Sequence, residues 1–272
     1  MTSKLLRETI RGILREEAGA GKIDELMGRI VGINTQIAAQ FEPEELLAYG
    51  DNVEPPKFGI AVHVSGDHAE VSYAVSGMDS AGAFKPGTLN TITGPQGTKV
   101  MKKALGVDVP YGKIEFGKNP SGAGKCSGAW SVWQTHKTTS GWGPLLYDIA
   151  IETATAYAGG LTSDRGEVSR AALGVWSAYD QMRPDVEKAQ LDLRDKDIER
   201  WGKSDPDLVH LTPETQEDDC NQYSSYDERL SAGDLPSLAR RNWAKSPLSR
   251  VYRKPLMTTA ALEGLGILFA AE

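Results

Sequence analysis

The chain has 272 residues, 40% hydrophobic and 25% charged, the composition of an ordinary globular protein with length enough to bury a large core. No run approaches eighteen apolar residues and the N-terminus has no secretory apolar block, so neither a membrane span nor a leader is expected. The net charge of −7 is concentrated: Asp185 to Asp219 holds twelve acids against five bases, whereas Arg240 to Lys254 holds six bases and no acid.

In chain order, residues 3–17 place Leu6, Ile10, Ile13 and Leu14 on one helical face, with Ser3 as an N-cap. "AGAGK" then reads as a break and flexible joint. A second helix is expected from Ile23 to about Gln40, with Leu26, Ile30, Ile33 and Ile37 on its apolar face. Ile60, Val62 and Val64 alternate, "SGDH" turns, and Val71, Tyr73 and Val75 alternate again: a hairpin. Residues 76–100 are rich in Gly, Ser, Thr and Pro and read as loop with room for a short strand; Lys99–Leu105 allows one or two helical turns. "GKIEFGK" and "AWSVWQTH" read as strands, followed by a helix from Pro144 to Ala158. "GGLTSDRGEVS" reads as strand or extended loop, and Ser169 caps a helix from Arg170 to Met182 that Pro184 ends. The remaining residues read as irregular, first acidic and then basic, closing on "ALEGLGILFAA". Cys126 and Cys220 have no CxxC partner and are too few for structural zinc, so they read as free thiols of a reduced cytosolic chain.

The stretch "KTTSGWGPLLYDIAIETATAYAGG" puts a polar glycine turn ahead of a helix, where backbone N–H groups can receive an anion. Gly141 and Gly143 permit close approach, and Lys137, Thr138, Thr139 and Ser140 flank them. It is neither the dinucleotide fingerprint nor the GxxxxGK[ST] phosphate loop. The order from 113 to 182 resembles the GNAT acetyltransferase superfamily, in which a strand runs into a Q/R-x-x-G-x-G/A turn that grips the pyrophosphate of acetyl-CoA. "SVWQTHK" stands for the strand, "TTSGWG" for the turn, "PLLYDIAIETATAY" for the helix, and "GGLTSDR" and "SRAALGVW" for the next strand and helix. The likeness covers about a quarter of the chain, and its arrangement is similar to GNAT-like proteins of tailed phages. It implies acetyl-CoA or another acyl-CoA as cofactor, bound by Lys137, Thr138, Ser140, Gly141, Trp142, Gly143 and Leu145. It also implies a general base at Glu115 or His136. Two departures stand out. Thr138 occupies the Q/R position, and Trp176 occupies the position of the general-acid tyrosine, leaving Tyr179 one turn further on as the substitute.

Other groupings read as ordinary surface. His63, Asp67 and His68 mark a polar hairpin tip, "EDDC" at 217–220 a solvated loop, and Asp164 with Arg165 a structural pair, so no metal site is expected. The N-terminal helix resembles the capsid-targeting peptides of T-even-like phages, with Leu14-Arg15-Glu16 fitting the hydrophobic-x-Glu cleavage motif.

These readings give an α/β (α+β) protein with a GNAT-like mixed, mainly antiparallel sheet flanked by helices. Residues 1–21 form an N-terminal amphipathic helix, 22–184 the core and 185–272 a C-terminal elaboration. Two functions are expected. One is a phage-encoded acyltransferase acting on a small-molecule or protein amine in the host cytoplasm. The other is a non-catalytic virion or internal head protein that partners head or scaffold proteins. Trp243 and Tyr252 among the 240–254 bases suggest nucleic acid as a third partner class, against which the overall acidity weighs.

Overall fold

The computed structural model of the chain describes residues 3–120, 122–163, 168–196, 199, 210–220 and 246–271, with the backbone alone for 3–20 and 170. In chain order the elements are α1 Ser3–Ala38, α2 Pro43–Leu47, β1 Lys57–Ser65, β2 His68–Met78, β3 Phe84–Thr91, α3 Pro95–Leu105, β4 Lys113–Lys118, β5 Trp130–Thr135 and α4 Gly143–Tyr157. They continue with β6 Leu161–Thr162, α5 Arg170–Met182, β7 Glu187–Gln190, β8 Arg250–Arg253, α6 Met257–Gly264 and β9 Leu268–Ala270. The fold is α+β with a mixed, mainly antiparallel sheet, as expected. Among the described residues, no helix is long and apolar enough to cross a membrane.

The expected break at "AGAGK" does not occur, because α1 runs straight through it. A helix-interior glycine costs only about 1 kcal/mol, and the neighbouring Ala, Glu and Lys are good helix formers.

The chain gathers into two compact units. The first, here the hairpin unit, comprises Gly21–Glu115, Gln134–Ala150 and Met257–Glu272. Its strands run β4-β2-β1-β9, with β3 also paired to β2. The hairpin pairs Lys57 with Ser76 through Ser65 with His68, turning at Gly66-Asp67 as the alternation predicts. Residues 76–100 are more ordered than their composition suggests. β3 lies there, and α3 starts at Pro95 rather than near Lys99. "FKPGTLNT" has no alternation of its own; its extended state comes from pairing Thr91, Asn90 and Leu89 with Ala74, Val75 and Ser76. Ile23, Leu26, Ile30 and Ile37 of α1 are buried. Asn34 fastens that helix to β1 by donating to the Phe58 carbonyl at 2.8 Å and accepting from the Phe58 N–H at 2.7 Å. The short β9 lies parallel to β1, and a Cβ at Gly59 would stand 2.1 Å from the Ile267 carbonyl oxygen. Only glycine allows that approach.

The second, here the disulfide unit, comprises Met1–Ala20, Phe116–Trp133 and Ile151–Leu256. Its strands run β7-β8-β6-β5. β5 and β6 are parallel, and β8 is antiparallel to both β6 and β7. Ser169 caps α5 by accepting the Ala172 N–H at 3.1 Å, as its position predicts. Trp176 is fully buried and stacks on Tyr252 of β8 with ring centroids 5.0 Å apart. β7 and β8 lie in the stretch expected to be irregular; four residues each, they are too short to show a period.

The cysteines correct the sequence reading. Cys126 and Cys220 form a disulfide across a sequence separation of 94, with Cα atoms 4.6 Å apart. Both are fully buried in an apolar cluster with Ala123, Ala129, Leu191 and Val251. Backbone bonds from Cys126 N to Asp219 O (2.9 Å) and from Ser127 N to Glu217 O (2.6 Å) bring the two segments together, and no spacing rule shows that.

Residues 145–154 of α4 are all buried, Tyr147 and Glu152 included.

Candidate functional site

The turn ahead of α4 belongs to the hairpin unit and is stitched to the segment before β4. Thr139 donates its N–H to the Tyr111 carbonyl at 2.9 Å, and its hydroxyl accepts the Tyr111 N–H at 2.9 Å. The Trp142 N–H closes the turn on the Thr139 carbonyl at 3.0 Å, and Gly141 takes φ +81°. Lys137, Ser140 and Gly141 are exposed, while the half-buried Thr138 donates its hydroxyl to the His136 carbonyl at 3.0 Å. A Cβ at Gly141 or Gly143 would meet no atom within 4 Å, so the space before the helix start is open. Leu145 is fully buried, which leaves only its backbone N–H for a ligand, and Pro144 has no N–H to offer.

Trp142 has a role its sequence position does not reveal. Its indole is buried edge-on to Tyr73 at 5.6 Å, with the Arg29 guanidinium 4.3 Å from the ring centroid. The Tyr73 hydroxyl donates to the Trp142 carbonyl at 2.8 Å. Burial pushes the Tyr73 pKa well above its ordinary value, with Arg29 opposing, so the phenol stays a donor.

Beside the turn is an open cleft of about 600 Å³. Arg29, Gly32, Ile33 and Gln36 of α1 form one wall, Thr98 and residues 108–111 another, and Thr139 and Trp142 complete it. That volume falls within the range of small-molecule sites, about 300–1,000 Å³.

A row of half-buried charged side chains crosses neighbouring strands of the same unit. Glu115 accepts from His136 Nε2 at 2.9 Å and from Lys113 Nζ at 2.7 Å. Lys113 also reaches Glu70 at 2.9 Å, and His68 Nε2 lies 4.0 Å from Glu70. Burial favours the protonated form of Glu115, but the bonds from Lys113 and His136 outweigh it and hold its pKa below the ordinary value. For Lys113, burial disfavours the charge, yet the bonds to Glu115 and Glu70 raise its pKa. An ionised carboxylate only accepts, so in this bond His136 Nε2 is the donor.

The structure therefore joins Glu115 and His136, which the sequence offered as alternatives. It places Tyr179 in the disulfide unit, buried beside Trp176 at 6.4 Å and Tyr252 at 6.3 Å, with the Arg183 guanidinium 5.0 Å from its ring. At the hairpin tip, His63 Nδ1 lies 2.8 Å from the Ala271 carbonyl and His68 Nε2 4.0 Å from Glu70. In the basic run, Arg250 pairs with Asp180 at 2.8 Å, Arg253 with Glu187 at 2.9 Å, and buried Lys254 with buried Glu152. Tyr252 is fully buried and offers no face for base stacking. Trp243, Arg240, Arg241, Lys245, Asp164 and Arg165 lie outside the described residues.

Sequence reasoning missed Arg29, Glu70 and Lys113. The i, i+2 spacing of His68 with Glu70 and of Lys113 with Glu115 was visible, and each pair shares a strand face. That β2 and β4 are neighbours was not.

Comparison of the chain with protein-family models, curated proteins and solved structures returned no match.

Proposed function

We propose that the chain is an acyl-CoA-dependent N-acyltransferase of GNAT-like type, with its binding site in the hairpin unit. The observation that carries this reading is the cleft of about 600 Å³ lying against the glycine turn and sharing Thr139 and Trp142 with it. In this reading the diphosphate of the cofactor sits at the open start of α4, near Lys137 and the N–H of Leu145. The acyl arm lies in the cleft, with the Arg29 cation on its wall. His136 Nδ1 takes a proton from the acceptor amine while Glu115 holds the ring. The amine nitrogen then attacks the thioester carbonyl, the C–S bond breaks, and the departing thiolate takes up the proton that His136 received. Calorimetric titration with acetyl-CoA and CoA tests the reading. Gly143→Val should fold, since its Cβ meets nothing, and should lose CoA affinity by blocking the approach. Unchanged affinity in the folded variant removes the proposal.

A second reading, a non-catalytic phage head protein that keeps the fold, is favoured by the burial of Trp176 and Tyr179. Neither offers an acid to a departing thiolate. This reading expects no thiol release from acetyl-CoA with any amine. It further expects removal of residues 1–16 to leave the melting temperature unchanged while abolishing incorporation into heads. Thiol release above the uncatalysed rate would overturn it.

A further inference from the structure

We propose that His68, Glu70 and Glu115 form a binding site for a divalent transition metal, zinc foremost, on the half-open sheet face of the hairpin unit. One donor atom from each residue lies within 4.8 Å of the other two. Donors around one zinc at about 2.0–2.2 Å stand about 3–3.5 Å apart, so small side-chain rotations close the set. The backbone already does the rest. His68 and Glu70 are two residues apart in β2 and project from one face, and Glu115 joins them from neighbouring β4.

Imidazole combined with carboxylates suits zinc and its first-row neighbours better than magnesium or calcium, which prefer all-oxygen shells. Lys113 supplies the second argument. Its ammonium stands 2.9 Å from Glu70 and 2.7 Å from Glu115, so the two carboxylates already converge on a cation. A divalent ion carries twice that charge and displaces the ammonium, whose flexible four-carbon stem can swing to solvent. His136 then bonds Glu115 from outside the ligand set and fixes its orientation, the usual task of a partner behind a metal-bound carboxylate. Three protein ligands leave a coordination position for water. The site stands independently of the acyl-transfer reading, because metal binding is measured without turnover.

The test is titration of the full chain with Zn²⁺ by calorimetry and with Co²⁺ by visible absorption. One ion per chain is expected, with an intense tetrahedral cobalt band. His68→Ala and Glu70→Gln should each weaken binding about tenfold or more. Lys113→Met should tighten it about tenfold by removing the resident cation. Far-UV circular dichroism of each metal-free variant confirms folding, and His68→Gln replaces any His68→Ala protein that fails this check. Absence of heat and of a cobalt band in both the wild type and Lys113→Met overturns the site. So does an affinity that His68→Ala, Glu70→Gln or Lys113→Met leaves unchanged.

Discussion

In the disulfide unit, Lys254 meets Glu152 with both side chains withdrawn from solvent, whereas in the hairpin unit Lys113 meets Glu70 and Glu115 on a half-open face. The same residue types thus do different work. Where water is excluded, a charge must keep its partner, and removing that partner is costly. Where water has access, the pairing is worth little and the groups can exchange partners. The disulfide unit holds its described basic run in internal pairs with Asp180, Glu187 and Glu152.

The largest expected effect falls on the disulfide. For a closed loop of about 100 residues the chain-entropy relation gives about 4.7 kcal/mol, and observed losses run at about 2–5 kcal/mol. Cys126→Ser with Cys220→Ser should lower the urea unfolding free energy within that range. Thiol titration of the denatured, unreduced wild type should find none free; two free thiols would show that the bond does not form.

Next comes the buried pair. Glu152→Ala takes the carboxylate away from a buried ammonium and should cost about 3–5 kcal/mol. A loss under about 1 kcal/mol in denaturant unfolding would break the contrast between the units.

A smaller effect separates two aspartates of the disulfide unit. Burial opposes ionisation of Asp192, but backbone bonds from Leu211, Thr212 and Leu193 overcome it and lower the pKa. Its stabilisation is therefore present above the unfolded value near ~3.9 and is lost as pH falls through the lower folded value. Asp219 runs the other way, raised by burial and then by Asp192, Asp218 and Asp195. Its contribution is present below ~3.9 and is lost as pH rises through the folded value. Asp219→Asn should accordingly raise the melting temperature at pH 7 and lose that advantage in acid, while Asp192→Asn should lower it at pH 7 and converge on wild type below about pH 4. Melts from pH 3 to 7 that show the same sign for both variants would contradict the assignment.

The smallest effect sharpens the contrast from the other side. Lys113→Met should change stability by less than about 1 kcal/mol, since its pairs are half-exposed. A loss comparable to that of Glu152→Ala would place the row among the structural charges.

Much of the hairpin unit's framework was legible because its signals are local. The alternation around Gly66-Asp67 and the apolar positions Leu26, Ile30 and Ile37 of α1 act within a few residues, as does the Ser169 cap in the disulfide unit. The elements that were missed lack such signals. The four-residue β7 and β8 take their state from each other, and β3, for which the sequence left room without fixing its place, takes its state from β2. Glu115 and His136 were both candidates, but as alternatives; the bond between them spans 21 residues and depends on strand order.

The sequence by itself determined the α+β class, the helix boundaries set by Ser169 and Pro144, and the glycine turn, because propensity, capping and period are properties of short windows. Only the tertiary structure decided that Cys126 meets Cys220, that Trp142 and Tyr179 are core residues, and that His68, Glu70, Lys113, Glu115 and His136 share one face. Those outcomes depend on which distant strands become neighbours. That choice is made by burying the whole core at once, and no local window contains it.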